Sequence, residues 1–166
     1  MFQNLILMKN KFTHIGDKNQ PKMVNVGDKK ITKRKATAKA IMFLGIEIIA
    51  HFNNEELVTK KGPVFQTAII AGIQAVKKTS ELIPMCHPLL INGVDIDINI
   101  IDKTHIEILC TVAIEGKTGV EMEALTGANI AALTVYDMCK AISQKMVIKE
   151  VKLMEKSGGK SDIKNG

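Results

Sequence analysis

The chain has 166 residues and a mass of 18.2 kDa, with 46% hydrophobic and 24% charged residues. This length is enough for one sizeable core and short for two, and the apolar fraction excludes a largely disordered chain. No apolar run approaches the roughly 18–20 residues that cross a bilayer, and no small-residue cleavage site follows the short run at residues 5–8. We therefore expect one cytoplasmic domain with no signal peptide and no membrane contact.

The net charge of +6 is concentrated at the two ends of the chain. Residues 1–35 carry a net charge of +7, residues 36–144 one of −4 and residues 145–166 one of +3. Such ends could attract nucleic acid, a membrane surface or a phosphorylated small molecule, or could only keep the protein in solution. The charge by itself leaves these alternatives open.

The three cysteines are odd in number, widely spaced and never arranged as CxxC: Cys86, Cys110 and Cys139. This pattern favours neither a disulfide framework nor a zinc site. We expect reduced, partly buried thiols and no metal held by the protein alone.

The two ends of the chain lie outside the predicted domain, which covers residues 23–156. Residues 1–22 are rich in Lys and Asn, show no hydrophobic period and are predicted to form a basic, mobile extension. Residues 157–166 form a Gly/Lys-rich C-terminal tail. Its start resembles a phosphate-binding loop, but the first glycine of that motif would fall at Met154 and no helix pattern follows. The tail is either flexible or able to fold over a phosphate.

The first half of the domain shows one strand pattern and one helix pattern. Residues 35–43 alternate between apolar and polar side chains, as a half-buried strand does. Apolar residues then recur at helical spacing over residues 65–76, and Pro63 lies near the first position of this helix. Pro84 and Pro88 hold the three residues between them in a rigid, non-helical segment.

The second half of the domain begins with an antiparallel hairpin. Residues 94–100 and 106–114 alternate in the manner of strands, and a long helix follows from about residue 118 to about 144. Residues 146–153 are predicted to form the last strand. The order is strand, helix, strand, strand, helix, strand (βαββαβ), which predicts an α+β ferredoxin-like sandwich with an antiparallel sheet and two helices on one face. Because the second helix is apolar on two sides, we also expect a partner subunit.

Two acidic residues stand out in the long predicted helix, because Glu123 and Asp137 are its only charged residues between Met122 and Cys139. We expect both to be partly buried, which costs free energy unless the carboxylate is paired or has a function. Asp137 and Lys140 share a helix face, either as an ordinary ion pair or as a functional one. Glu121 is favoured as structural, since residues 118–121 (TGVE) match a capping box.

Two further segments could contact an anion. His87 lies between prolines that fix its direction, so it could bind phosphate or carry a proton near neutral pH, although a lone histidine is more often structural. Lys60 and Lys61 precede a predicted helix start, where ammonium groups and backbone N–H groups together can bind an anion. The alternative for this pair is a solvated loop.

Several ordered stretches occur between about residue 12 and residue 162. They are residues 23–24 (MV), 32–34 (TKR), 61–62 (KG), 71–74 (AGIQ), 83–89 (IPMCHPL), 116–126 (GKTGVEMEALT), 136–140 (YDMCK) and 156–160 (KSGGK). Together they resemble the cyclic pyranopterin monophosphate synthase family, the C proteins of molybdenum cofactor biosynthesis. The resemblance implies a lyase that converts 3′,8-cyclo-7,8-dihydroguanosine 5′-triphosphate to cyclic pyranopterin monophosphate and pyrophosphate. It also implies a ferredoxin-like subunit in a hexamer, a trimer of dimers with active sites at the dimer interface.

The resemblance also assigns roles to residues. It implies catalytic roles for Asp137, Lys61 and Lys140. It implies that substrate binds at or near Arg34, Lys77, Met85, Cys86, His87, Glu121, Met122, Glu123, Lys156 and Lys160. We predict that Lys61 is a general acid and that Asp137 and Lys140 form a proton-transfer pair, with the pKa of one of the two lysines lowered.

Two residues depart from the family pattern. Asn25 stands where the family usually has Asp, and Pro63 stands where Lys-Gly is usually followed by Asp. Neither departure falls on a residue to which the resemblance assigns a role.

We expect no cofactor bound by the protein alone, although the substrate triphosphate could carry Mg²⁺. The alternative function is a non-catalytic ferredoxin-like module that binds RNA or a regulatory nucleotide. The hairpin strands contain none of the aromatic residues on which such a module would stack bases, so we expect no nucleic-acid partner.

Overall fold

The computed structural model describes residues 20–53 and 56–165, so most of the predicted N-terminal extension lies outside the described residues. The elements in chain order are β1 (Thr32–Phe43), α1 (Ile46–Ile49), β2 (Val58–Thr59), β3 (Gly62–Pro63), α2 (Val64–Lys77), α3 (Thr79–Leu82), β4 (Gly93–Ile100), β5 (His105–Gly116), α4 (Glu121–Cys139), β6 (Val147–Ser157) and β7 (Ile163–Lys164). Within these residues, no helix is both long enough and apolar enough to cross a membrane.

The main sheet is antiparallel and has the strand order β4-β5-β1-β6-β7. β1 lies at its centre and pairs with β5 without a break, from Thr32 opposite Gly116 to Phe43 opposite His105. Its pairing with β6 contains two register shifts. α2 and α4 pack on each other and on the strands of this sheet. The predicted α+β class is therefore confirmed.

The core lies between the sheet and the two long helices. Alternate residues of β1 and β5 face it, and small residues of α4 cover them. The fully or nearly fully buried members on these three elements include Ala36, Ala38, Ala40, Met42, Ile106, Ile108, Cys110, Val112, Ala124, Ala128, Ala131 and Val135. Alanine on both the strand and the helix allows the helix to approach the sheet closely, so dispersion contacts are dense there.

α2 and α4 approach each other most closely at two glycines. A Cβ atom built on Gly72 would lie 3.0 Å from the main-chain oxygen of Gly127 and 2.5 Å from Ile96, and one on Gly127 would lie 2.7 Å from Val76. Only glycine allows this separation, because a side chain at either position would push the helices apart. The close approach fixes the start of α2 beside the end of α4.

α4 is shorter than predicted. It begins after Val120, which makes no side-chain cap hydrogen bond, and it ends at Cys139. The predicted capping box is wrong: the Thr118 hydroxyl donates to the main-chain oxygen of Gly119 at 3.1 Å, and the Glu121 carboxylate binds Lys156 instead. A tertiary ion pair has replaced the local hydrogen bond that the sequence pattern predicts.

Part of the C-terminal tail folds back on the sheet. The main chain turns at Gly158, which has φ of +78°, and β7 then pairs with β6. The Thr32 hydroxyl donates to the main-chain oxygen of Gly158 at 2.8 Å, and the Gly158 N–H donates to Asp162 Oδ1 at 3.1 Å. The structure thus shows an ordered turn beside the start of β1.

We expect Gly158→Ala to lower the free energy of unfolding by about 1–2 kcal/mol or more, because an L residue is strained at positive φ. The added Cβ would also lie only 1.9 Å from the Lys33 main-chain oxygen. Urea unfolding of both forms measures the effect. Gly93→Ala is the matched control, since a Cβ there would meet no atom within 4 Å; equal stability of the two variants would contradict the expectation.

Candidate active site

The predicted site residues gather at the two ends of α4. The "lysine cluster" consists of Lys61, Asp137 and Lys140 and lies at the C-terminal end of the helix. The "pocket cluster" lies at its N-terminal end and contains Arg34, Met85, Cys86, His87, Glu121, Met122, Glu123, Lys156 and Lys160. The structure places Lys77, the exposed last residue of α2, in the lining of neither cavity at this end of α4.

The lysine cluster joins two ammonium groups to one carboxylate. Lys61 Nζ donates to Asp137 Oδ2 at 2.6 Å and to the main-chain oxygen of Asp137 at 2.9 Å. Lys140 Nζ lies 2.8 Å from Asp137 Oδ1. Because one negative charge faces two positive charges, the cluster is cationic and can still attract an anion.

The contacts within the lysine cluster favour the ionised forms of Asp137 and Lys140. Hydrogen bonds from Lys140 and Lys61 lower the pKa of Asp137 to about 2, and the Asp137 carboxylate raises the pKa of Lys140. The prediction of a lowered lysine pKa is therefore wrong for Lys140, since a carboxylate in contact stabilises the charged ammonium. The expected partial burial of Asp137 is also wrong, because its side chain is 53% exposed.

Lys61 is presented by a short hairpin that precedes α2. It lies in the turn between β2 and β3, where the Thr59 hydroxyl accepts from the Lys61 N–H at 3.1 Å and donates to the Gly62 main-chain oxygen at 3.2 Å. Gly62 has φ of +111°, a conformation that favours glycine. The Lys-Gly dipeptide of the sequence pattern is thus the tip of a tight turn.

The pocket cluster contains a small, mostly apolar cavity of about 120 Å³. Its lining consists of Met85, Cys86, His87, Leu89, Thr118, Gly119, Met122 and Glu123. His87 Nε2 donates to the main-chain oxygen of Val24 at 2.9 Å, which fixes the ring, and within the described residues Nδ1 makes no hydrogen bond. Burial and the negative charge of Glu123 raise the pKa of the Cys86 thiol, so this cysteine is a neutral thiol at neutral pH.

Glu123 is the one buried carboxylate of the described residues, with 4% of its surface exposed, as the sequence predicts for this residue. Burial raises the pKa of its carboxyl group, its own backbone N–H offsets part of this rise, and the charge of Glu121 raises it further. A buried carboxylate that faces a cavity is a candidate to bind a polar ligand or to exchange a proton with it.

We expect Glu123→Gln to raise the free energy of unfolding at neutral pH, because burial raises the pKa of the Glu123 carboxyl group. A group whose pKa is raised by folding destabilises the native state above that pKa, and this penalty disappears as the pH falls below the unfolded value. The stability gain of the variant should therefore vanish near pH 4. Urea unfolding at both pH values measures it, and a gain that does not depend on pH would contradict the interpretation.

A second cavity, of about 180 Å³, adjoins the first at Gly119. Its lining consists of Arg34, Lys35, Gly119, Val120, Glu121, Lys156, Ser157, Gly159, Lys160 and Ser161. Arg34 is held by a hydrogen bond of 3.0 Å from its Nε to the main-chain oxygen of Gly116. Lys35 in this lining is not among the predicted site residues, although its place beside Arg34 on a strand is a signal that could have found it.

Glu121 partly neutralises this cationic cavity. Lys156 Nζ donates to Glu121 Oε1 at 2.9 Å. Burial raises the pKa of Glu121, but the hydrogen bond from Lys156, its own backbone and the charges of Lys156 and Arg34 outweigh it, so the pKa lies below its usual value. The remaining positive charge suits phosphate groups, which arginine and lysine bind through charge-assisted hydrogen bonds. In the described part of the chain, no three His, Cys, Asp or Glu residues are arranged to hold a metal ion.

The structure does not bring the two clusters together within one protomer. Glu123 and Asp137 lie fourteen residues apart on α4, which is about 21 Å along the axis at 1.5 Å per residue. A small ligand bound in the pocket cluster therefore lies far from the lysine cluster of the same chain.

Comparison with known proteins assigns the family. The MoaC family model matches residues 23–159. The cyclic pyranopterin monophosphate synthase of Helicobacter pylori (strain HPAG1) is 53% identical over 150 residues, which are 90% of this chain and 94% of that protein. The protein of the same name from Campylobacter jejuni (strain 81-176) is 51% identical over 152 residues, 91% of this chain and 96% of that one.

A longer relative contains a similar unit. The molybdenum cofactor biosynthesis bifunctional protein of Synechocystis is 51% identical over 156 residues, which are 92% of this chain but only 45% of the Synechocystis protein. The present chain therefore spans less than half of that relative. From the family match and these identities, the chain belongs to the MoaC family.

Proposed function

We propose that the two clusters on α4 form the site at which this chain makes cyclic pyranopterin monophosphate and releases pyrophosphate. Relatives named for this synthase activity are 51–53% identical over at least 90% of the chain. The protein is accordingly an enzyme, a lyase of molybdenum cofactor biosynthesis. Its substrate is the triphosphate 3′,8-cyclo-7,8-dihydroguanosine 5′-triphosphate.

The pocket cluster is proposed to bind the substrate and to stabilise the leaving group. Arg34, Lys156 and Lys160 line a cationic cavity, and His87 and Glu123 line the adjoining apolar one. Negative charge gathers on the pyrophosphate as its phosphorus–oxygen bond breaks, so fixed cations bind the transition state more tightly than the ground state. The apolar cavity is suited to the heterocycle.

The lysine cluster is proposed to move protons during the rearrangement of the heterocycle. The contact of Lys61 Nζ with Asp137 Oδ2 at 2.6 Å is the single observation that carries this role. The contact between Lys140 and Asp137 favours the charged form of Lys140 and the ionised form of the Asp137 carboxylate, so the proposed proton donors of the resting site are the lysine side chains rather than the carboxylate. After a lysine has donated its proton, the neighbouring carboxylate favours protonation of that lysine again, because it stabilises the charged ammonium form.

Two protomers are needed to complete such a site. Because about 21 Å separates the clusters on one helix, we propose that the pocket cluster of one chain meets the lysine cluster of another. The exposed apolar residues of the helical layer support such an interface: Ile70 is 61%, Leu133 52% and Met122 40% exposed. We further propose the hexamer, a trimer of dimers, that the family resemblance implies.

Three further features belong to the same proposal. The strand order β4-β5-β1-β6 with α2 and α4 on one face supports a ferredoxin-like sandwich. All three cysteines are free thiols, which supports a reducing, cytoplasmic location. Any Mg²⁺ is proposed to arrive with the substrate triphosphate rather than to reside in the protein.

The test is incubation of the full chain with the cyclised triphosphate. We expect mass spectrometry to detect cyclic pyranopterin monophosphate and a coupled assay to detect an equal amount of pyrophosphate. GTP is the control substrate and should not react. Binding of the triphosphate without pyrophosphate release would contradict the proposed function.

A further inference from the structure

α2 begins without a capping side chain of its own. Its N-cap residue is Pro63, which has no side-chain hydrogen-bond acceptor, and the first helical residue is Val64. The first N–H groups of a helix have no partner within the helix, so an acceptor must come from elsewhere. In most helices the N-cap side chain itself supplies it.

Glu56 supplies these acceptors from a distance along the chain. Its Oε1 accepts from the Phe65 N–H at 3.0 Å and from the Leu57 N–H at 2.8 Å, and its Oε2 accepts from the Gln66 N–H at 3.1 Å. The Val64 N–H donates to the Leu57 main-chain oxygen at 2.9 Å. The first three N–H groups of α2 therefore all bind residues 56 and 57.

These bonds close the base of the hairpin that carries Lys61. The chain runs from Glu56 through β2, turns at Lys61 and returns through β3 to α2. The hydrogen bonds from the Phe65 and Gln66 N–H groups to Glu56 therefore connect the two ends of the hairpin. Thr59 closes the tip of the same hairpin. Because Glu56 holds the base of the hairpin and Thr59 holds its tip, the Lys61 side chain extends to Asp137 at the end of α4.

We infer that Glu56 is a positioning residue that holds the Lys61 hairpin so that the Lys61 ammonium group meets Asp137. Its carboxylate acts through the backbone of α2 and touches neither substrate nor the reacting atoms. This inference rests on the proposed function, in which Lys61 takes part in the proton transfers. Without the carboxylate, the base of the hairpin is no longer held, and the Lys61 ammonium group can occupy many positions relative to Asp137. Misplacement of a reacting group by about 1 Å can lower the rate a hundred-fold.

The test separates positioning from simple helix capping. Glu56→Ala is expected to lower kcat about ten-fold or more and to lower stability. Pro63→Asp in the same background adds a local N-cap side chain that can accept from the Phe65 and Gln66 N–H groups, so it should restore the stability. The double variant should nevertheless keep the low kcat, because the introduced carboxylate caps the helix without joining residue 56 to it.

The controls are Pro63→Asp alone and Glu47→Ala, which changes another glutamate of the same half of the chain. Both should keep the wild-type kcat. Recovery of kcat together with stability in the double variant would show that Glu56 only caps the helix and would overturn the inference. An unchanged kcat in Glu56→Ala would overturn it as well.

A readout without turnover distinguishes failure of this inference from failure of the proposed function. In an NMR titration of the full chain, loss of the Lys61 contact should raise the pKa of Asp137 above its native value of about 2. We expect this rise in Glu56→Ala and in the double variant. If the wild type forms no product, the proposed function fails, and the titration still tests Glu56. An unchanged Asp137 titration in both variants would overturn the inference regardless of activity.

Discussion

Asp137→Asn is expected to lower kcat/KM for formation of cyclic pyranopterin monophosphate by about 10²–10⁴-fold, the usual contribution of proton transfer by a positioned group. Asparagine keeps the size of the side chain but removes the charge that holds Lys61 Nζ at 2.6 Å and Lys140 Nζ at 2.8 Å. It also lacks the negative charge that favours the return of a proton to a lysine that has donated one. Pyrophosphate release at a series of substrate concentrations measures the change.

The stability of this variant should change little at neutral pH, because the three side chains are about half exposed and water screens their charges. A carboxylate whose pKa is lowered by folding stabilises the native state above its unfolded pKa, and this contribution is lost as the pH falls toward about 2. The small stability difference from wild type should therefore disappear in acid. Asp97→Asn, on the exposed face of β4, is the matched control. A variant at position 137 as active as this control would contradict the role.

Lys61→Met is expected to slow single-turnover formation of the cyclic monophosphate within a similar range, about 10²–10⁴-fold in rate. Methionine retains much of the aliphatic length of the side chain but has no proton to donate and no charge to hold against Asp137. Rapid quenching with excess enzyme isolates the chemical step from product release. The substrate should still bind, because the pocket cluster is intact.

Lys60→Met provides the matched control for this variant. Lys60 is the neighbouring residue in the same turn and is likewise exposed, so the substitution changes the net charge and the hydropathy of the turn in the same way. We expect nearly wild-type single-turnover rates from Lys60→Met. Equal losses in the two variants would mean that the turn contributes only general positive charge, and wild-type rates in Lys61→Met would refute the general-acid role.

The regular elements can be predicted because their patterns are local. Alternating apolar residues locate β1, β4, β5 and β6, and helical spacing locates α2, within a few residues of their observed bounds. The sequence pattern places the start of α4 too early, since Glu121 pairs with Lys156 from β6, which is remote in sequence. No local pattern reveals β7 for the same reason: its turn depends on contacts of Gly158 with Thr32 and Lys33 at the start of β1.

The sequence proposes the candidate site as a set of residues but does not predict their arrangement. Spacing places Asp137 and Lys140 on one helix face, and the structure shows their contact. The partner role of Lys61 comes from the packing of α2 against α4, which no local pattern encodes. The prediction of a lowered lysine pKa is wrong for Lys140, because its i,i+3 contact with the Asp137 carboxylate stabilises the charged ammonium group. Glu56 is absent from the predicted set, although a proline at the predicted helix start signals that the cap must come from another residue.

The close contact of Gly72 with Gly127 also affects the lysine cluster at the C-terminal end of α4. The two glycines prevent α2 from sliding along α4. A displacement of α2 by one helical turn, about 5.4 Å, would bring larger neighbouring side chains into the place where the two helices are closest. A slip of that size would also carry Lys61 out of reach of Asp137, whose contact spans only 2.6 Å. The alignment of Lys61 with Asp137 is thus set about half the length of α4 away, by two residues that have no side chains.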